Sequence, residues 1–214
     1  MTPRVVAIIQ ARLSSVRFPR KSLAMFKGEP LILHVVKRVR QVPLVDAVVA
    51  AVPTDDHALI RVLQDAHLDG IVRGSERDVL MRYWMAASLH QADVVLRVTG
   101  DCPLWSPRAG EGVISAFLQD SKHRQFWSND TTKSGWPDGT DAEVFTFDLL
   151  RRARNARSTL TASDREHVTT WMRRTEDPNV GVYSRKQDEI SRLKLSVDTI
   201  TDLVRIERVP NVDL

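Results

Sequence analysis

Between residues 5 and 120, short apolar runs alternate with amphipathic stretches, and no other feature of the chain constrains its fold as much. Val5 to Ile9, Val48 to Val52, Gly70 to Val72 and Val94 to Val98 have strand length and stop in turn residues. Unbroken apolarity over so few residues marks strands covered on both faces. Ile32, Val35, Val36 and Val39 repeat at helical spacing. They predict a helix from Leu31 to about Gln41, behind the turn Lys27-Gly28-Glu29-Pro30. Leu59, Val62, Leu63 and Ala66 form a second stripe, which Thr54-Asp55-Asp56 can cap. Leu80, Tyr83, Trp84 and Ala87 form a third, and Val113, Ile114 and Phe117 a fourth. Strands and helices in this order predict an α/β fold around a mostly parallel sheet.

The second half is less regular. Trp136-Pro137-Asp138-Gly139-Thr140-Asp141 reads as a turn-rich loop before a strand from Glu143 to Phe147. Helices are expected from Asp148 to about Arg157, from about Ser163 to Arg174, and from Thr201 to Val209. Val180 to Tyr183 reads as a short strand, and Leu193, Leu195 and Val197 alternate as a half-buried one. No linker composition interrupts the chain. The expectation is therefore one domain over 1–214, with about 125–190 as a peripheral region.

At 214 residues, 43% of them hydrophobic and 27% charged, the chain has the makeup of a globular domain. Its apolar runs fall well short of the ~20 residues that span a bilayer. The start does not resemble a signal peptide, so a cytoplasmic protein is expected. A net charge of +4 could favour an anionic ligand but is weak evidence for nucleic acid, which is not expected as a partner. The single cysteine, Cys102, excludes an intrachain disulfide and a cysteine-based zinc site.

The first strand runs into Arg12, Ser15, Arg17, Pro19 and Lys21. Ligands of open α/β sheets bind at the carboxyl ends of strands, and three cations on such a loop suit a polyphosphate or an ordinary basic surface. Neither a dinucleotide fingerprint nor a P-loop is present. Asp101 follows a strong strand between Gly100 and Cys102-Pro103, placed either to bind magnesium or to make a turn. Asp198 stands similarly after Leu195, where it can also cap a helix. Cys102 reads as a small buried residue. Glu166-His167 lies on a predicted helix, either structural or in contact with a substrate.

Taken together, these motifs resemble the cytidylyltransferases that activate acidic sugars. The pattern Arg-x-x-Ser-x-Arg-x-Pro-x-Lys is met by Arg12, Ser15, Arg17, Pro19 and Lys21. Five further landmarks follow in order, the first four being Arg73-Gly74-Ser75-Glu76-Arg77-Asp78-Val79-Leu80, Val98-Thr99-Gly100-Asp101-Cys102-Pro103-Leu104, Pro137-Asp138-Gly139-Thr140-Asp141-Ala142-Glu143-Val144-Phe145, and Arg165-Glu166-His167-Val168-Thr169. The last is Leu195-Ser196-Val197-Asp198-Thr199. The branch most resembled is that of spore coat polysaccharide biosynthesis, related to the acylneuraminate and 3-deoxy-manno-octulosonate enzymes. The resemblance implies a Rossmann-like fold of the glycosyltransferase A type, CTP as donor, Mg2+ as cofactor, a small anionic acceptor and a homodimer.

It further implies Arg12, Arg17 and Lys21 on the triphosphate, with Ser15 beside them, and Arg73, Ser75 and Asp78 beside the cytidine. Asp101 and Asp198 would hold the metal. Asp141, Glu143, Glu166 and His167 would contact the acceptor, and the 125–190 region would supply the dimer contact. Arg20 stands where the family usually keeps glycine, and Ile200 replaces a proline common after the last Asp-Thr. The chain stops at Leu214, so a C-terminal element of relatives is expected to be reduced. A nucleotide-sugar glycosyltransferase and a non-catalytic nucleotide-binding module are the alternatives. The first commonly carries Asp-x-Asp where this chain reads Asp101-Cys102-Pro103, and the second has no need of two paired carboxylates.

Overall fold

A computed structural model describes residues 2–130, 134–156, 158–177 and 179–209. Strands β1 (Val5–Gln10), β4 (Ala47–Pro53), β5 (Gly70–Gly74) and β6 (Val94–Thr99) are the four expected runs. Between β1 and β4 lie the two-residue strands β2 (Met25–Phe26) and β3 (Glu29–Pro30), a hairpin turned by Lys27 and Gly28 at positive φ. Helices α1 (Leu31–Val39), α2 (His57–Gln64), α3 (Val79–Leu89) and α4 (Pro107–Asp120) connect the long strands. The second half adds β7 (Phe126–Ser128), β8 (Glu143–Thr146), α5 (Phe147–Asn155), α6 (Ala162–His167), α7 (Thr170–Glu176), β9 (Gly181–Val182) and α8 (Ile200–Glu207).

One sheet of seven strands runs in the order β5-β4-β1-β6-β8-β7-β9. β5, β4, β1 and β6 are mutually parallel, while β8 is antiparallel to both its neighbours. Because side chains alternate across a strand, β1 serves two cores at once. Val5, Ala7 and Ile9 pack with α1, α2 and α4 on one face, and Val6 and Ile8 pack with α3, α5 and α7 on the other. This double burial is why the central runs read as continuously apolar.

Three features depart from the sequence reading. The helix expected from Ser163 to Arg174 is broken at Val168, which takes φ 59° and ψ −57°. The Thr169 amide donates to His167 O at 2.5 Å, closing a three-residue γ-turn of the strained kind. Val168 is fully buried, so tertiary packing overrides local helical preference there. The segment around Leu193 to Val197 forms no strand. Its amides donate to carbonyls of two different loops, Leu195 to Asp138 and Val197 to Asp101, with a single bridge between Asp138 and Lys194. Strand β7 lacked a visible signal because it is only three residues long. The helix end expected at Arg157 and the terminus at Leu214 lie outside the described residues.

Candidate active site

The loop after β1 is braced by its own backbone. The Arg20 amide donates to Leu13 O (2.8 Å), the Leu13 amide to Asp56 Oδ2 (2.8 Å), and Ser22 Oγ to Arg12 O (3.2 Å). Arg20 takes φ 60° and ψ 23°, the left-handed region in which a Cβ crowds the following carbonyl. The loop geometry thus calls for glycine where this chain has arginine. At the end of β6, Gly100 allows the close approach that brings two strand ends together. Its amide donates to Gln10 O, and an added Cβ would lie 2.8 Å from that oxygen.

Asp101 follows immediately. Lys21 Nζ lies 2.7 Å from Asp101 Oδ2, 2.8 Å from Val197 O and 3.8 Å from Asp198 Oδ1. Arg17 reaches Asp198 Oδ1 at 2.7 Å, Lys194 reaches its Oδ2 at 3.0 Å, and Arg12 reaches Glu166 Oε1 at 2.9 Å. Burial opposes ionisation of Asp101, but the Lys21 ammonium and hydrogen bonds from Thr99 and Cys102 outweigh it, holding the carboxyl below the usual range. Burial, with Asp101 and Asp141 nearby, pushes the Cys102 thiol up, so it stays a neutral filler and not a nucleophile.

Arg12, Arg17, Lys21, Asp101, Glu166 and Asp198 line a cleft of about 670 Å³ at the carboxyl ends of β1 and β6. Of the sequence candidates, Arg12, Ser15, Arg17, Lys21, Asp101, Asp198, Glu166 and His167 converge on it. The γ-turn at Val168 ends α6 directly after Glu166 and His167, so the strained residue sits at the edge of the site. Strain retained at such a position is the usual companion of function.

The other candidates do not reach this wall. Arg73, Ser75 and Asp78 are absent from the lining, whereas their neighbours Glu76, Arg77 and Val79 contribute to it. The Asp78 carboxylate caps α3 through the Met81 amide (2.9 Å). Glu143, expected to touch the acceptor, is 2% exposed and fully engaged. Sheet register sets it directly opposite Arg97 on β6, and the two side chains pair. Arg173 Nη2 (2.7 Å) and Thr169 Oγ1 (2.8 Å) donate to its other oxygen. Glu143 is therefore an internal counter-ion tying the cleft floor to the γ-turn, and it is not free for a substrate.

Asp141 lines a separate cavity of about 610 Å³ with Asp130, Asp138, Asp188 and Trp136. Burial, then the charges of Asp130 and Asp138, raise its pKa to about 7, against a weaker pull from a Gly139 backbone hydrogen bond.

Sequence reasoning missed Gln10, Glu76, Arg77, Arg82, Arg97 and Thr99 of the cleft wall. Glu76, Arg77 and Thr99 lay within the quoted landmarks without being given a role, and two of the others carried a signal of their own. Arg97 is the one charged residue of β6, and Arg82 falls within the apolar stripe of α3. Among the described residues no cluster of three or more His, Cys, Asp or Glu side chains is arranged to hold a metal, and no helix is long and apolar enough to cross a membrane.

The sequence profile of the cytidylyltransferase family matches residues 6–211. An uncharacterized protein of Methanocaldococcus jannaschii is 29% identical over 206 residues, which cover 93% of this chain and 80% of that protein. A 3-deoxy-manno-octulosonate cytidylyltransferase of Anaeromyxobacter sp. (strain K) is 40% identical over 115 residues, 53% of this chain and 47% of that protein. The match thus spans about half the length of that enzyme. Among solved structures, a cytidylyltransferase from Leptospira borgpetersenii serovar Hardjo-bovis aligns with a TM-score of 0.87 at 25% identity, over 96% of this chain and 86% of that one. CMP:2-keto-3-deoxy-manno-octonic acid synthetase complexed with CTP aligns at 0.73 and 18% identity, over 95% and 97%, a likeness of fold.

Proposed function

The chain belongs to the cytidylyltransferase family, and from that premise we propose that it transfers the cytidylyl group of CTP to an acidic sugar or related anionic acceptor, releasing pyrophosphate. The observation that carries this reading is the meeting of Arg12, Arg17 and Lys21 with Asp101 and Asp198 in one cleft. In this reading the three cations and Ser15 receive the triphosphate. The acceptor oxygen attacks the α-phosphorus in line with the departing pyrophosphate, whose developing charge the loop cations stabilise. Glu166 and His167 lie on the acceptor side.

Asp101 and Asp198 fit a magnesium ion by the chemistry of their donors. Two hard carboxylates converge on the Lys21 ammonium, Asp101 is held ionised, and Mg2+ usually takes one or two carboxylates plus substrate phosphates. Bound there, the ion would neutralise phosphate charge and lower the pKa of a coordinated hydroxyl. Lys21, Arg17 and Arg12 each hold a carboxylate, so ligand binding would exchange partners with little need to rebuild the loop.

The same reading includes a cytoplasmic homodimer serving surface-polysaccharide synthesis. Residues 125–190 would supply the dimer contact and part of the acceptor pocket. The sheet-edge strand β9, with Val182 exposed, is available there. Incubation with each of the four nucleoside triphosphates, magnesium and a panel of acidic sugars, followed by pyrophosphate assay, tests the activity. CTP with one acidic acceptor is expected to give turnover. Preference for another triphosphate, or no pyrophosphate with any acceptor, would refute it. Light scattering in solution tests the dimer.

A further inference from the structure

Six basic side chains line the cleft: Arg12, Arg17, Lys21, Arg77, Arg82 and Arg97. Four hold carboxylates, Glu166, Asp198, Asp101 and Glu143 respectively for Arg12, Arg17, Lys21 and Arg97. Arg77 is exposed. Arg82 differs from these, being buried with no ion-pair partner among the described residues. It is 1% exposed on α3, and no carboxylate of the described residues pairs with it. Its Nη1 donates to Ser75 O (2.9 Å) and Glu76 O (3.5 Å), and its Nε has no partner. Its stem is wedged against Gly74, where an added Cβ would lie 3.0 Å from Arg82 Cγ.

A guanidinium carries five N–H donors and a full charge, and buried cations are ordinarily paired. Burial lowers the proton affinity of Arg82; Tyr83 opposes that, the charge of Arg12 adds to it, and Asp56 and Glu76, near but not in contact, oppose it again. Arg82 is therefore a buried cation in the cleft wall with no carboxylate of the described residues in direct contact. Bracing the 74–78 turn alone would not require a charge, since a neutral donor can satisfy carbonyl oxygens.

We propose that Arg82 is an anion-binding residue of the cleft, whose counter-ion is an anionic oxygen of the ligand, either a nucleotide phosphate or the acceptor carboxylate. The identity of those two ligands rests on the cytidylyltransferase reading; the demand for an anion rests on the burial of Arg82. Arg82 acts beside the loop cations and completes the positive side of the cleft.

Isothermal titration of the wild type, Arg82→Met and Arg82→Lys with CTP, inorganic triphosphate, 3-deoxy-manno-octulosonate and neutral cytidine tests this. Arg82→Met is expected to weaken at least one anion by about tenfold or more, with cytidine unchanged within about twofold and Arg82→Lys recovering most of the loss. Loss confined to CTP and triphosphate assigns the phosphate, and loss confined to the acidic sugar assigns the carboxylate. Unchanged binding of all three anions would overturn the proposal. So would an equal loss for cytidine, which would make Arg82 a brace only. If Arg82→Met does not fold, the Nε–H resonance of Arg82 in the wild type decides, because triphosphate or the acidic sugar should move it and cytidine should not. A resonance that no anion moves is the refuting outcome. Wild-type protein that ignores CTP would sink the proposed function, while the triphosphate and sugar titrations would still decide Arg82.

Discussion

Asp141→Asn is expected to stabilise the protein at pH 8 and to change little at pH 4. Asp141 shares a cavity wall with Asp130, Asp138 and Asp188, and its pKa is raised from 3.8 to about 7, mainly by burial and then by its acidic neighbours. A carboxyl with a raised native pKa keeps its proton in the folded chain while the unfolded chain has lost it. Stability from this group is fully present below the unfolded value and is lost as pH rises from about 4 to about 7. At ~1.4 kcal/mol for each tenfold change in proton affinity, the loss approaches about 4 kcal/mol, an upper bound once partial hydration is allowed for. Asparagine keeps the shape and cannot ionise, so the variant loses this part of the pH dependence. Urea denaturation of both proteins at pH 4 and pH 8 measures it. A stabilisation of roughly 2–4 kcal/mol at pH 8 that vanishes at pH 4 is the expected result. An equal difference at both pH values, or none at pH 8, would refute the premise that Asp141 is costly to ionise.

Glu143→Gln leaves Arg97 and Arg173 without their shared buried anion. It is expected to cost about 3–5 kcal/mol in urea denaturation, and a loss under about 1 kcal/mol would show that the guanidiniums are compensated elsewhere. Asp101→Ala is expected to slow pyrophosphate release by about 10² or more while the protein still folds, and a wild-type rate would remove Asp101 from the site. Arg20→Gly relieves a left-handed arginine and is expected to raise stability by roughly 0.5–1 kcal/mol, net of the added freedom of the unfolded chain. A lower urea midpoint would contradict that reading of the loop.

Much of the architecture was legible because it depends on local periodicity. The central strands are buried on both faces and the helices on one, so their apolar patterns carry the information directly. Arg12, Arg17, Lys21, Asp101 and Asp198 were legible for a related reason. Each lies at or near the end of an apolar run or on the loop beyond it, where an α/β sheet places its ligands.

Apart from β7, too short to leave a pattern, the failures in the second half are long-range. A helical pattern through Val168 gives no warning that packing will force a γ-turn there, which Thr169 then anchors to Glu143 from another strand. Alternation at Leu193, Leu195 and Val197 reports burial for Leu195 and Val197 but not for the exposed Leu193, and it cannot say that the Leu195 and Val197 amides meet two separate loops and no strand. Glu143 looks like a substrate ligand until sheet register sets it against Arg97. The amino-acid sequence alone therefore determined the alternating sheet-and-helix frame and the ligand end of that frame. Only the tertiary structure decided which charges satisfy each other and which remain for a ligand, because pairing depends on distances between residues far apart in the chain. By that criterion Glu143 is neutralised inside the protein, and Arg82 is buried beside the cleft with no ion-pair partner among the described residues.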